Sequence, residues 1–321
     1  MKKLSLNLIK LCNILSDLNF HDGTALGEQL GISRAAIWKM IQKLQNYGVT
    51  IQSIKGKGYQ LDAPLWLLDT KIIQEESNLS DLELTAFEEI DSTNSYLTQY
   101  KASSPQACLA EYQTLGKGRF DRAWASPFGQ NIYLSVALRL HQDMSTLGGL
   151  SLAIGIKVCE LLENLYTLPH LLSLKWPNDI LYEDKKLAGI LIEAQVEANG
   201  SCRLIIGIGI NINMISQQNI LTPWTSIKRI THKDINRNNL AADLIACIHD
   251  CANSFDSKGL AHYQTRWNKR DYLHGKAITL KHFKNGVSGF AEGIDAQGQL
   301  LIKLPNGEQK TFSSGETTLQ K

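Results

Sequence analysis

The sequence predicts an α+β multidomain protein with three parts: an N-terminal winged helix-turn-helix, a central mixed β-sheet domain with helices, and a small C-terminal β-barrel. Three observations predict it. Near the N-terminus, two short helical patterns are joined by a glycine turn and followed by a lysine-tipped hairpin. After Pro64, apolar strands and helical stretches mix, and most connections are too short for right-handed βαβ crossovers. From Lys276 onward, short alternating segments are separated by hairpin turn signals. The expected boundaries are 1–63, 64–272 and 273–321.

The first segment carries Leu8, Leu11, Leu15 and Leu18 at helical spacing, while Asn7 and Lys10 interrupt any continuous apolar run. Thr24 is positioned to cap a second helix running through Leu30, and Gly31-Ile32-Ser33 makes the turn. Ser33 can cap the third helix by accepting backbone N–H bonds. In RAAIWKMIQKLQNYG, Ile37, Met40, Ile41 and Leu44 share the face that must enter a core. The opposite face shows Ala35, Trp38, Lys39, Gln42, Lys43 and Asn46. VTIQSI and YQLD then flank Lys55-Gly56-Lys57-Gly58, a hairpin with lysines at its tip. A glycine-joined helix pair, a basic face and a lysine-tipped wing converge on DNA binding. The candidate contacts are Ser33, Arg34, Ala35, Trp38, Lys39, Gln42, Lys43, Lys55 and Lys57, the wing lysines to phosphates. Trp38 occupies a base-reading position, where its indole suits either a thymine methyl or packing within the protein.

In the central region, LELTAFEEI predicts a strand that runs into DSTNSYLTQY, a helix start crowded with hydroxyls. CLAEYQ and NIYLSVALRL predict strands bracketing the loop QTLGKGRFDRAW. LGGLSLAIGIKVCELLENL and LAADLIACIHDCANSF predict amphipathic helices, and LLSLKW, KLAGILIEA and CRLIIGIGINI predict apolar strands. At the C-terminus, KAITLKHF, GVSGFAEGI, QLLIKLP and EQKTFSS alternate, with turns expected at Asn285-Gly286, Gln297-Gly298 and Asn306-Gly307.

Composition narrows the function classes. The net charge of +2 excludes a general polyanion binder, yet residues 1–62 alone carry +4 and the remainder −2. The six cysteines lack the paired spacings of a zinc site and read as buried thiols, so no protein-only metal site is expected. No run reaches the roughly 18 apolar residues of a membrane span. A reduced, cytoplasmic protein with no membrane partner is the expectation.

The loop holds Gly116 and Gly118, which permit close backbone approach, and Lys117, Arg119 and Arg122, which can reach an anion. It fits neither a Walker loop nor a dinucleotide fingerprint, and taken alone it is either an anion site or a solvated turn. In DSTNSYL, Ser92, Thr93 and Asn94 offer donors and acceptors suited to a small polar ring, or simple capping. In KWPND, Pro177 is expected to end a strand and leave Asn178 and Asp179 on a loop. In KLAGILIE, alternation places Lys186 on one face with Ala188 and Ile190, beside the small Gly189. A lysine buried there needs an anionic partner, which a bound carboxylate or phosphate would supply.

DSTN, EYQTLGKGR, SPFGQNIYLS, KWPND, KLAGILIE and GIGININ, in this order behind a winged helix, resemble the bifunctional biotin–protein ligase and biotin operon repressor family. The resemblance covers essentially the whole chain. It implies a class II synthetase-like catalytic domain and an SH3-like C-terminal barrel. It implies that ATP with Mg²⁺ and biotin form biotinyl-5′-adenylate, and that biotin then passes to a lysine of a biotin carboxyl carrier protein, an acetyl-CoA carboxylase subunit. The adenylate would also act as corepressor, favouring a homodimer that binds biotin operator DNA. By position in the matching motifs, Ser92, Thr93, Asn94, Gln113, Lys117, Gly118, Arg119, Lys186 and Gly189 would bind biotin. Arg119, Arg122, Trp124, Lys186, Asn211 and Trp224 would bind the nucleotide. Lys186, Arg119 and Asp179 would be catalytic, with Asp179 assisting Mg²⁺ or orienting the acceptor lysine. The family loop commonly reads Gly-Arg-Gly-Arg-Arg-Gly-Arg. Here Lys117, Phe120 and Asp121 replace two arginines and a glycine, which weakens the expected grip on the triphosphate. A lipoate-attaching ligase would not need the winged helix, and a non-catalytic biotin sensor would not need Lys186 with the cationic loop.

Overall fold

Caps and turns set the N-terminal elements. A computed structural model of the chain describes residues 1–321 apart from 101, 103, 141–148, 197–201, 218, 219, 221, 283, 284 and 321. The chain opens with β1 (Lys2–Lys3), α1 (Leu6–Leu15), α2 (Gly23–Leu30), α3 (Arg34–Asn46), β2 (Ile51–Ile54) and β3 (Gly58–Leu61). Ser33 caps α3 as expected, its Oγ accepting from Ala36 N–H at 3.2 Å. Thr24 does not cap α2. Asp22 does, its carboxylate accepting from Thr24 N–H at 2.8 Å and Ala25 N–H at 3.2 Å, and a charged acceptor suits the positive helix end. Gly31, at φ +66°, then closes α2 in the left-handed conformation that glycine tolerates. The wing pairs Ile51 with Leu61 and Ile54 with Gly58, and the reciprocal backbone bonds of His21 and Tyr59 dock it to the α1–α2 connection.

The central elements are α4 (Thr70–Ser77), β4 (Glu83–Ile90), α5 (Thr93–Gln99), β5 (Gln106–Gln113), β6 (Ile132–Leu140), α6 (Leu150–Leu165), β7 (Ser173–Lys175), β8 (Asp179–Tyr182), β9 (Lys185–Val196), β10 (Cys202–Ile210), α7 (Ile227–Thr231), α8 (Arg237–Lys258) and α9 (Gln264–Asn268). Strand order is β1-β4-β5-β6-β10-β9-β8-β7, a mixed sheet in which β4 and β5 run parallel across α5 while β7, β8 and β9 form antiparallel hairpins. The chain divides into two compact units, Met1–Ser135 with Gly209–Asn219 and Ser226–Asp243, and Val136–Ile208 with Ile220–Thr225 and Leu244–Lys321.

In the first unit, the inward faces of the winged helix supply Leu8, Leu11, Leu15, Ile37, Ile41 and Leu44 to a cluster that also holds Leu65, Leu67 and Phe128. Met40 packs on its margin rather than inside it. Beside this cluster lies a buried ion pair. Arg237 Nη2 sits 2.6 Å from Glu111 Oε2, with side chains 1% and 0% exposed. Two further guanidinium hydrogens go to Asn131 O and Trp66 O, and Glu111 also accepts from Leu68 N–H, so both charges have partners. These bonds tie residues 66–68 to β5, two residues from Gln113.

In the second unit, α6 is the expected amphipathic helix with a wide apolar side: it buries residues from Leu150 to Leu162 and leaves Lys157, Glu160 and Asn164 together on the remaining face. Residues 147 and 148 of that prediction lie outside the described residues. A Cβ on Gly155 would meet Leu174 Cδ2 at 2.9 Å, which is why this helix position stays small. The C-terminal strands β11 (Ala277–His282), β12 (Asn285–Ile294), β13 (Leu300–Lys303), β14 (Gln309–Phe312) and β15 (Glu316–Leu319) form an antiparallel sheet of order β14-β13-β12-β11-β15. Asn285-Gly286 is not a turn: Asn285 already pairs with His282, and Gly286 with Lys281.

Candidate functional site

In the first unit, β4 delivers the chain to Ser92, which caps α5 by accepting from Ser95 N–H. Thr93 and Asn94 are therefore held in the first helical turn, each 4% exposed. Gln113 ends β5 in register with Ile90. Its Oε1 accepts from Thr93 N–H at 2.9 Å, and its Nε2 donates to Ser126 Oγ at 3.2 Å. Ser135 on β6 completes the cluster, its Oγ 2.7 Å from Thr93 Oγ1 and 2.6 Å from Asn94 Oδ1. Thr93, Asn94 and Gln113 were foreseen as a group. Ser126 and Ser135 open and close the SPFGQNIYLS motif, but nothing in the sequence says that their hydroxyls turn toward Gln113 and Thr93.

The glycine-rich loop folds back on itself. Gly118 N–H donates to Arg122 O at 2.7 Å and Trp124 N–H to Gly116 O at 2.8 Å. Gly116 must be glycine, since a Cβ would lie 2.7 Å from both Ser126 Oγ and Trp124 O. Lys117 and Arg122 are exposed and Arg119 is half-buried. Phe120 stands out: it is 63% exposed, holds φ +54°, and lies under the Arg119 guanidinium at 5.1 Å from its ring centroid. A non-glycine residue in that region carries strain of roughly 1–2 kcal/mol. Trp124 packs against Gly209, where a Cβ would approach its Cε2 to 2.4 Å. Asn211, 5% exposed, follows two residues on, and its carbonyl accepts from Ile227 N–H.

The second unit holds Asp179, Lys186, Gly189 and Trp224. Two expectations fail here. Asp179 is not on a loop but opens β8, opposite Gly189, after a tight turn at Trp176–Asn178. The β8–β9 register then shifts between Ile180 and Leu181, so Leu187 is an extra residue in β9 and simple alternation from Lys186 to Ala188 is broken. The lysine's anionic partner is consequently internal: Lys186 Nζ lies 2.8 Å from Asp179 Oδ1, with side chains 29% and 22% exposed. The Lys186 backbone is clamped on both sides, its N–H donating to Pro223 O and its carbonyl accepting from Thr225 N–H, which brings Trp224 alongside. Asn178 locks the turn through reciprocal bonds with Ile190, Nδ2 to its carbonyl at 2.8 Å and its N–H to Asn178 O at 3.0 Å. A cation positioned by a carboxylate at a strand bulge is preorganised to meet further negative charge. Among the described residues, no group of three or more His, Cys, Asp or Glu side chains could hold a metal ion, and no helix is long and apolar enough to cross a membrane.

On the winged helix, Ser33, Arg34, Ala35, Lys39, Gln42, Lys55 and Lys57 are exposed, as is Trp38 at 53%. Trp38 thus does not pack inside the protein. Gln42 Nε2 donates to Gln45 Oε1, and Lys57 Nζ sits 5.8 Å from the Phe20 ring centroid. Lys43 differs from the rest. Its ammonium donates to Glu88 Oε2 on β4, a carboxylate only 1% exposed. Tyr47 OH lies 3.0 Å from Glu88 Oε1 and 2.7 Å from Glu89 Oε2, and its ring stacks on Phe128 at 4.4 Å. Burial pushes the Tyr47 phenol well up, and its hydrogen bond holds the Glu89 carboxyl below the usual range.

Comparison with known proteins agrees with this arrangement. The family model described as the biotin/lipoate A/B protein ligase family matches residues 86–211, an HTH domain matches 8–60, and a biotin protein ligase C terminal domain matches 273–317. The chain is 40% identical over 318 residues to the bifunctional ligase/repressor BirA of Salmonella typhimurium, covering 97% of each. It is 39% identical over 316 residues to the Escherichia coli protein of the same name, again covering 97% of each. Among solved structures, the biotin protein ligase from Aquifex aeolicus in complex with biotin and ATP matches with TM-score 0.63 and 30% identity, over 74% of this chain and 99% of that one. A chain matched along its winged helix, ligase motifs and C-terminal sheet alike belongs to the biotin protein ligase family, in its bifunctional ligase/repressor branch.

Proposed function

We propose that this protein activates biotin with ATP and transfers it to a carrier-protein lysine, and that the adenylate switches it to repress biotin synthesis genes. The supporting observation is Lys186, clamped by residues 223–225 and ion-paired to Asp179 at 2.8 Å, in a chain whose relatives carry both functions in their names. In the first step, a biotin carboxylate oxygen attacks the α-phosphorus of ATP and pyrophosphate leaves. Two anions must meet, so the barrier is lowered chiefly by charge neutralisation and positioning. Lys186 supplies that charge, assisted by Arg119. In the second step, the acceptor lysine amine attacks the anhydride carbonyl, an amide forms, AMP leaves, and the amine releases a proton.

Ser92, Thr93, Asn94 and Gln113 hold the ureido ring, while Lys117, Gly118 and Gly189 line the tail. Arg122, Trp124, Asn211 and Trp224 engage the nucleotide. Mg²⁺ would arrive with ATP, and Asp179 would assist it or orient the acceptor lysine. The residues are arranged as a DNA-binding domain 1–63, a catalytic domain 64–272 and a small β-domain 273–321. The biotin carboxyl carrier subunit of acetyl-CoA carboxylase is the acceptor, and the protein works in the cytoplasm. The adenylate-bound form dimerises, because one winged helix per chain needs a second copy to read a two-fold operator. Ser33, Arg34, Ala35, Trp38, Lys39, Gln42, Lys55 and Lys57 face the DNA. Incubation with biotin, ATP, Mg²⁺ and a biotin carrier domain should yield one AMP per biotinyl-lysine formed. No transfer to the carrier under these conditions would reject the assignment.

A further inference from the structure

Two hydroxyl protons must serve three oxygen–oxygen contacts in the series Asn94–Ser135–Thr93–Gln113. Ser135 Oγ is 2.6 Å from Asn94 Oδ1 and 2.7 Å from Thr93 Oγ1, while Thr93 Oγ1 is 3.2 Å from Gln113 Oε1. Both amide oxygens accept only, and each hydroxyl carries one proton. Gln113 Oε1 accepts from the Thr93 N–H at 2.9 Å and from the Thr93 hydroxyl at 3.2 Å, so the Thr93 proton is spent on Gln113. A contact as short as 2.6 Å between two oxygens requires a proton, which only Ser135 can supply to Asn94. Ser135 Oγ is the donor toward Thr93 Oγ1 as well, so its one proton is shared between Asn94 and Thr93. With its own proton on Gln113, the Thr93 oxygen keeps a lone pair for a further donor. The same donation turns the Asn94 amide so that its oxygen faces Ser135. Ser135 is fully buried, at 0% exposure, so water does not compete for this arrangement.

We propose that Ser135 is a positioning residue for biotin, and that its hydroxyl sets Thr93 as an acceptor for a ring N–H and fixes the orientation of Asn94. This rests on the reading of Thr93 and Asn94 as ureido contacts. A cyclic urea brings the N–H that the Thr93 oxygen accepts. A sulfur ring without N–H groups leaves that buried oxygen unpaired, and such unpaired groups are the strongest basis for discrimination.

The test is initial-rate kinetics of biotin activation with both substrates varied. Ser135→Ala should raise KM for biotin by about 5- to 50-fold, as for one buried hydrogen bond, with kcat and KM for ATP within about twofold. Ser135→Cys, nearly isosteric and a weaker donor, should give an intermediate KM, and it carries the test if the alanine variant does not fold. Added to a Thr93→Val, Asn94→Ala background, Ser135→Ala should change biotin KM less than about twofold, because a positioning residue acts only through its partners. An unchanged biotin KM in Ser135→Ala, a parallel rise in ATP KM, or an undiminished effect in that background would overturn the proposal. If Thr93→Val and Asn94→Ala themselves leave biotin KM unchanged, the biotin reading of the cluster fails first. If they raise it and Ser135→Ala does not, only the positioning role fails.

Discussion

Replacing Lys43 with methionine separates two roles for a lysine that the sequence assigns to DNA. The aliphatic stem is kept and the charge removed. Glu88 is then left 1% exposed with the Tyr47 hydroxyl, at 3.0 Å and shared with Glu89, as its remaining named partner. Breaking a fully buried ion pair from one side destabilises by about 3–5 kcal/mol. Here the Lys43 side chain is 40% exposed, so water replaces part of what is lost, and the expected effect falls to about 1–3 kcal/mol. Urea unfolding should register this as a lower midpoint, and Glu88→Gln in the same chain should restore part of it by removing the stranded charge. Operator binding measured against salt supplies the second readout. A phosphate contact contributes about one to the slope of log affinity against log salt, so a lysine held by Glu88 leaves that slope unchanged. Unaltered stability together with a slope reduced by about one would refute the reasoning and return Lys43 to the DNA face.

Gly209→Ala should drive a methyl group into the Trp124 indole, which lies 2.4 Å from the position of the added Cβ; KM for ATP should rise by about tenfold or more if Trp124 walls the nucleotide, and unchanged kinetics would remove it from the site. Phe120→Gly relieves left-handed strain but loses the Arg119 stacking, so its melting temperature should stay close to the parent's, whereas Phe120→Val, β-branched at φ +54°, should lose about 1 kcal/mol or more. Equal melting of all three forms would show that the loop does not hold this conformation in solution. Lys55→Ala with Lys57→Ala should reduce the salt slope of operator binding by about two while leaving biotin transfer intact, and an unchanged slope would place the wing off the DNA.

Local rules carried the sequence reading furthest where a single helix or hairpin decides the structure. Ser33, the Gly31 turn and the Ile37–Ile41–Leu44 face were legible because caps and 3.6-residue periodicity act within one turn. The choice of Thr24 over Asp22 failed by two residues, because aspartate and threonine both cap helices and sequence spacing does not separate them. What was not legible depended on partners distant in sequence. The bulge at Leu187 is set by how β8 meets β9, and it changed both the side that Lys186 faces and the identity of its partner. The Arg237–Glu111 pair spans 126 residues, and Glu88 with Lys43 spans 45. Neither leaves a motif. The cluster around Thr93 was half visible: DSTN and Gln113 stand out, whereas SPFGQNIYLS does not show that the hydroxyls of its first and last serines meet Gln113 and Thr93. Asn285-Gly286 shows the opposite error: a strong turn signal that the register absorbs into β12.

The central claim is that Lys186 provides the charge on which biotin activation depends, and biotin-dependent ATP–pyrophosphate exchange measures that step alone. Lys186 and Asp179 are each partly exposed, so Lys186→Ala should fold, which circular dichroism and urea unfolding can verify. The parent protein should exchange label between pyrophosphate and ATP only when biotin is present. The folded variant should lose that exchange by two or more orders of magnitude, about the effect of removing one key electrostatic group from a transition state. Near-normal exchange in folded Lys186→Ala, or exchange by the parent protein that ignores biotin, would contradict the account.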